Sequence, residues 1–134
     1  MAPLRPRRGR HVVHLLHAHL VFVTKYRGRV LDVRAHERLH VFFRVVCADF
    51  EADLDEVNGE RDHVHLLVRY PPKVALAALV NSLKGVSSRR LRAERADLRK
   101  LGPSLWSPSY FAGSCGGAPL DVLREYIEEQ DAPR

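Results

Sequence analysis

Residues 59–72 read GERDHVHLLVRYPP. From His63 to Arg69 the run has the apolar, β-branched density of a strand, and Pro71-Pro72 ends it. Asn58-Gly59 just ahead is a turn signal, and residues 51–58, EADLDEVN, alternate modestly in polarity. The middle of the chain therefore reads as a β-hairpin. Successive side chains on a strand point to opposite faces. Val64, Leu66 and Val68 then face a core, while His63 and His65 share the other face as a two-toothed fork. Two such imidazoles can grip one metal ion, or can simply be half-exposed residues of a polar sheet face. Two ligands fall short of the four that a structural zinc site wants, so the choice depends on a further donor from elsewhere.

Working outward, residues 17–27, HAHLVFVTKYR, have the composition of another strand. Asp32 is placed to cap a helix running to about Phe50, with Leu39, Phe42, Phe43 and Val46 at helical spacing. After the hairpin a second helix starts near Lys73, apolar at Leu76, Leu79, Val80 and Leu83. It runs on through a basic segment, with Gly85 as a weak point, until Leu101-Gly102-Pro103 breaks it. Residues 105–114, LWSPSYFAGS, read as a loop and a short strand, Gly116-Gly117 as a break, and Pro119 to about Gln130 as a closing helix. The fold class expected is α+β: a ferredoxin-like antiparallel sheet with helices packed on it, plus a C-terminal helix. One domain spans residues 1–134, with residues 1–10 as a flexible basic leader.

The chain has 134 residues, 46% hydrophobic and 28% charged, which is globular rather than disordered. A net charge of +6 favours a polyanionic partner, nucleic acid ahead of a membrane surface. The cations cluster: residues 84–100, KGVSSRRLRAERADLRK, hold seven Lys or Arg against two acids, and the first ten residues hold four Arg. Residues 121–131 carry five acids and one Arg instead. Cys47 sits in an apolar helical pattern and reads as a small core residue, and Cys115 stands in an unrelated context, so no disulfide framework is indicated. The leader imitates a signal peptide, but His14, His17 and His19 interrupt its apolar run and no cleavage site follows before Lys25. That run is also too short and polar to span a bilayer. A cytoplasmic protein without membrane contact is expected.

In the closing helix, Leu120, Leu123 and Ile127 form an apolar stripe at i, i+3 and i+7. Tyr126 and Gln130, four apart, share a face at its edge. Gln130 offers an amide oxygen as a hard ligand, and Tyr126 a phenol oxygen beside it. Their bland reading is a rim tyrosine with a solvated glutamine. Tyr70 and Tyr110 read as packing residues or as stacking surfaces for bases.

His-Val-His on a central strand, followed by one tyrosine on a late helix with Gln at the fourth position after it, resembles the HUH endonucleases. More closely, the chain is similar to the small single-tyrosine transposases of bacterial and archaeal insertion sequences, which move as single-stranded DNA. The stretches LVFVTKYRGRVL, NGERDHVHLLVRYPP, LVNSLKGVSSRRLR, LWSPSYFAGSCGG and VLREYIEEQ match that family in its order, from roughly His17 to Gln130. The resemblance implies Tyr126 as nucleophile and His63, His65 and Gln130 as ligands of a divalent metal, Mg²⁺ or Mn²⁺. It implies single-stranded DNA with hairpins at the element's ends as partner, cut to a 5′-phosphotyrosine and a free 3′-hydroxyl. It also implies a homodimer in which the tyrosine helix of one subunit can complete the site of the other. The chain departs from the family at Gly117-Ala118, where a Ser or Thr cap is usual, and in its Arg-rich leader. Lys84, Arg89, Arg90 and Arg92 are candidates for phosphate contacts. The competing readings are a domesticated or inactive hairpin-DNA-binding regulator of the same fold, and a nicking enzyme of plasmid or phage replication.

Overall fold

The sheet is organised around β3 (His17–Val23) and β5 (His63–Arg69), the two most apolar strands, which lie side by side and antiparallel. β4 (Asp53–Gly59) flanks β5 and β6 (Phe111–Gly113) flanks β3, giving the order β4-β5-β3-β6 with every pairing antiparallel. α1 (Val33–Asp49) connects β3 to β4, and α2 (Leu76–Glu94) follows β5. α3 (Leu120–Glu129) closes the described chain. This is the expected strand–helix–strand–strand–helix–strand pattern with an added helix. The computed structural model describes residues 7–8, 13–14, 16–114 and 120–130. Near the N-terminus, Arg7–Arg8 (β1) of the leader and Val13–His14 (β2) just after it pair as a short antiparallel ladder. The expectations for the rest of the leader, for Cys115 and for the Gly117-Ala118 cap lie outside the described residues.

Period two on the strands divides the sheet into two faces. Ala18, Leu20 and Phe22 of β3 and Val64, Leu66 and Val68 of β5 are buried beneath Leu39, Phe42, Phe43 and Val46 of α1 and Leu79, Val80 and Leu83 of α2. Each large apolar side chain removed from water contributes about 1.5–3 kcal/mol, so this face draws both long helices. Cys47 is in the same core, where burial pushes its thiol up to about 12, with Asp53 and Asp55 adding to the effect. Tyr70 and Tyr110 are partly buried against it, in keeping with packing roles. The opposite face carries Val21 and Val23 of β3, with Phe111 of β6 and Tyr126 and Ile127 of α3 packed on them.

Asp32 caps α1 as expected, its Oδ1 accepting from Ala35 N at 2.9 Å. Three other expectations need correction. The hairpin does not turn at Asn58-Gly59, since both residues belong to β4 and pair with His65 and Val64. The reversal falls at Arg61-Asp62, closed by Glu60 N donating to His63 O at 3.0 Å. Gly59 is needed there because a Cβ would sit 2.8 Å from the Val64 Cα, a close backbone approach rather than a turn conformation. Gly85 does not weaken α2, which runs unbroken through it. Finally, α2 begins at Leu76 and stops at Glu94, and a 3₁₀ helix, Ala96–Leu101, continues the basic segment. Arg95 leaves helical geometry (φ −128°, ψ 89°), and its guanidinium donates to both oxygens of Asp32 at 3.0 and 3.1 Å. The end of α2 is thus tied to the cap of α1. Among the described residues no helix is long and apolar enough to cross a membrane.

Candidate active site

His63 opens β5 and is almost wholly buried. Its Nδ1 donates to Asp62 Oδ1 at 2.8 Å. Strand alternation suggests that Asp62 faces away from the His pair, and this is corrected: Asp62 lies in the turn, before the alternation begins, and curls back onto the ring. The turn is held by Thr24, whose N and Oγ1 both donate to Asp62 O, at 2.9 and 3.1 Å. Arg27 Nε lies 3.8 Å from Asp62 Oδ2. It arrives through a turn in which Tyr26 (φ 58°) and Arg27 (φ 51°) are both left-handed, a conformation costing non-glycine residues about 1–2 kcal/mol each.

His65 stands on the same face as His63, with ring centroids 4.9 Å apart and nearly perpendicular. The fork expected from sequence is therefore formed. Burial pushes the His65 pKa down to about 4, and the neighbouring His63 and His19 add to the shift, so this ring is neutral near pH 7. Its Nδ1 lies 3.2 Å from Nε2 of His19 on β3. Burial also lowers the His19 pKa, against the opposing pull of Glu56. Both fork histidines thus have Nδ1 occupied by a neighbour, while Nε2 of each makes no hydrogen bond among the described residues. Two adjoining imidazoles with Nε2 free suit two positions of a divalent cation, so the fork fits a metal.

Tyr126 docks on the same face of the sheet, over the neighbouring strand. Across the β3–β5 ladder, Val21 is opposite His65 and Val23 opposite His63. Tyr126 packs on those two valines, its ring 5.8 Å from that of Phe111. Its hydroxyl is 3.0 Å from Ser109 Oγ. Burial raises the phenol pKa, against a smaller lowering by that hydrogen bond. Gln130 Oε1 accepts from Ser107 Oγ at 3.1 Å and Ser109 Oγ at 3.0 Å, and its Nε2 donates to Tyr126 O. Tyr126 and Gln130 are therefore held together by one loop. No hydrogen bond or ring contact joins either of them to His63 or His65 among the described residues.

The four basic candidates separate into two kinds. Lys84 Nζ donates to the backbone oxygens of Ser107 at 2.8 Å and Ser109 at 3.0 Å, and burial lowers its pKa. It clamps the loop that engages Tyr126 and Gln130. Arg92 is spent on the carbonyls of Gly102 and Pro103. Arg89 and Arg90 are exposed, with the Arg90 guanidinium 5.8 Å above the Phe42 ring. Sequence reasoning set Asp62 aside and missed His19, Ser107 and Ser109. A second His-x-His at residues 17–19 was the available signal for His19, usable only once the strand register is known.

Comparison with known proteins gives a consistent result. The family model described as "Transposase IS200 like" matches residues 12–130. The ISDra2 transposase TnpA of Deinococcus radiodurans is 32% identical over 130 residues, covering 96% of this chain and 93% of that protein. The transposase for insertion sequence element IS200 of Salmonella typhimurium is 26% identical over 114 residues, covering 84% of this chain and 74% of that one. A Deinococcus radiodurans crystal structure assigned as a transposase superposes with a TM-score of 0.84 at 30% identity, covering 94% of this chain and 98% of that one. A REP-associated tyrosine transposase bound to a REP hairpin has a TM-score of 0.54 at 10% identity, covering 90% and 69%, and shares the fold.

Proposed function

The chain belongs to the IS200-like transposase family, and on that premise we propose that it cuts and rejoins single-stranded DNA at insertion-sequence ends through a 5′-phosphotyrosine intermediate. Tyr126 is the nucleophile. Its phenol oxygen forms a bond to phosphorus as the bond to the 3′-oxygen breaks, leaving a 3′-hydroxyl and a phosphotyrosyl ester. One phosphate ester is exchanged for another, so the energy of the broken linkage is kept for rejoining. Ser109 holds the phenol in position: its own proton goes to Gln130 Oε1, so its oxygen accepts from the phenol, and the proton that the phenol gives up on attack is balanced by the one that the released 3′-oxygen gains.

His63 and His65 would hold a divalent cation, Mg²⁺ or Mn²⁺, with the Gln130 amide oxygen as third donor once it leaves the two serines. Imidazole donors tilt the choice towards Mn²⁺. When bound, the ion offsets charge on a non-bridging phosphate oxygen. Asp62 orients the His63 ring, and the burial that keeps His65 neutral keeps its lone pair available. The observation that carries the reading is the fork itself: two adjoining imidazoles with both Nδ1 atoms engaged and both Nε2 atoms free, on the face where the tyrosine helix docks.

Tyr126 packs on Val21 and Val23, the ladder partners of the two fork histidines, and no contact joins phenol to fork among the described residues, which supports a homodimer whose tyrosine helix reaches a partner's fork, or a shift of α3 on DNA binding. The DNA partner proposed is a single strand bearing hairpins, with Arg89 and Arg90 at phosphates. The test is incubation with a hairpin-bearing single-stranded oligonucleotide and Mn²⁺. Cleavage with a protein–DNA adduct is expected, lost on chelation and in His63→Ala and His65→Ala. A shifted but uncut oligonucleotide would mark the protein as a hairpin-binding regulator instead.

A further inference from the structure

β3 carries a His-x-His of its own, His17-Ala18-His19, to which the mechanism above gives no part. His19 pairs with Leu67 across the ladder, diagonal to His65 and on the fork's face. The two rings have centroids 5.4 Å apart, tilted by 36°, and His19 Nε2 lies 3.2 Å from His65 Nδ1. A contact of that length between two imidazole nitrogens holds a single proton, so one ring donates and the other accepts. The two directions have different consequences. If His19 donates, His65 keeps its own proton on Nε2 and has no lone pair there for a cation. If His65 donates from Nδ1, its Nε2 is a free base. His63 is already in the second arrangement, because the Asp62 carboxylate can only accept its Nδ1 proton.

We propose that His19 is the positioning residue for His65, its Nε2 accepting the His65 Nδ1 proton and so fixing the ring and tautomer that present Nε2 to a divalent cation. The inference rests on the metal role proposed for the fork. It gives both teeth the same arrangement, Nδ1 anchored and Nε2 free, through chemically different anchors. A second carboxylate would anchor the ring equally well but would add negative charge where a DNA phosphate must approach. An imidazole carries no negative charge and orients the ring without repelling the phosphate. Partners of this kind around metal-binding histidines alter metal affinity by about ten- to a hundred-fold.

The test uses the full chain and two variants. His19→Leu removes the acceptor, and His19→Gln keeps an amide oxygen close to where Nε2 stood. Two-dimensional ¹H–¹⁵N NMR of the imidazoles, without metal, is expected to find His65 protonated on Nδ1 in the wild type and in His19→Gln, and on Nε2 in His19→Leu. Titration with Mn²⁺, followed by the loss of free-ion EPR signal, should show affinity about ten-fold or more weaker in His19→Leu and partly restored in His19→Gln. Wild-type His65 protonated on Nε2, or unchanged Mn²⁺ affinity in a folded His19→Leu, would overturn the proposal. If His19→Leu fails to fold, the wild-type tautomer decides alone. Wild-type protein with His65 protonated on Nδ1 that binds no Mn²⁺ would sink the metal role of the fork while leaving the His19 pairing intact, so the two failures are separable.

Discussion

An imidazole has two nitrogens, and what one of them touches decides what the other can do. At His63 the decision belongs to Asp62, so Asp62→Asn, whose amide can donate to Nδ1 and reverse the tautomer, is expected to weaken Mn²⁺ binding by about ten- to a hundred-fold. Calorimetric titration checks this, and affinity within two-fold of wild type would remove Asp62 from the role. Lys84 presents the same logic for a cation. Its ammonium satisfies two backbone carbonyls, and deleting it strands both. Lys84→Met should therefore lower stability by about 1–3 kcal/mol in urea denaturation, where a residue that only met phosphates would leave stability unchanged.

Among the elements, the junction of α1 and α2 depends on one carboxylate. Asp32 caps α1 through Ala35 N and stops α2 through Arg95, and Asp32→Ala should cost about 1 kcal/mol for the cap alone. The hydrogen bonds from Arg95 first, then Ala35, hold its pKa below the ordinary 3.8. A carboxyl depressed in the folded state stabilises fully above its unfolded pKa and loses that contribution as pH falls through the folded value. The gap in unfolding midpoint between wild type and Asp32→Asn should thus be full at pH 6 and shrink below about pH 4; a gap that grows in acid would refute the assignment. The start of α1 was legible because an Asp stands directly before an apolar helical period, and the fork was legible because period two needs only local sequence. The end of α2 was not, since RAERADLRK stays helix-compatible and only a partner 63 residues away stops it. Asn58-Gly59 misled because its glycine serves close backbone approach. His19 and Asp62 stayed hidden because a strand register and a turn, neither readable locally, bring them to the fork.

Over the whole molecule, the sheet separates stability from chemistry: one face is sealed under α1 and α2, and the other carries the fork and the tyrosine helix. The basic segment follows the same division, with Lys84 and Arg92 tied to backbone while Arg89 and Arg90 are exposed. Replacing Arg89 or Arg90 by Ala should reduce the salt dependence of hairpin binding by about 0.7–0.9 in the log–log slope for each phosphate left without its cation, at unchanged stability for Arg89. An unaltered slope in both variants would place the DNA on another surface. The central claim is that fork and phenol serve one site, and it is tested most directly by mapping the covalent adduct. After reaction with a hairpin-bearing single strand and Mn²⁺, proteolysis and mass spectrometry should find the 5′-phosphate on Tyr126 in the wild type and no adduct in Tyr126→Phe or His65→Ala. An adduct on any other residue, or one that survives in Tyr126→Phe, would contradict the account.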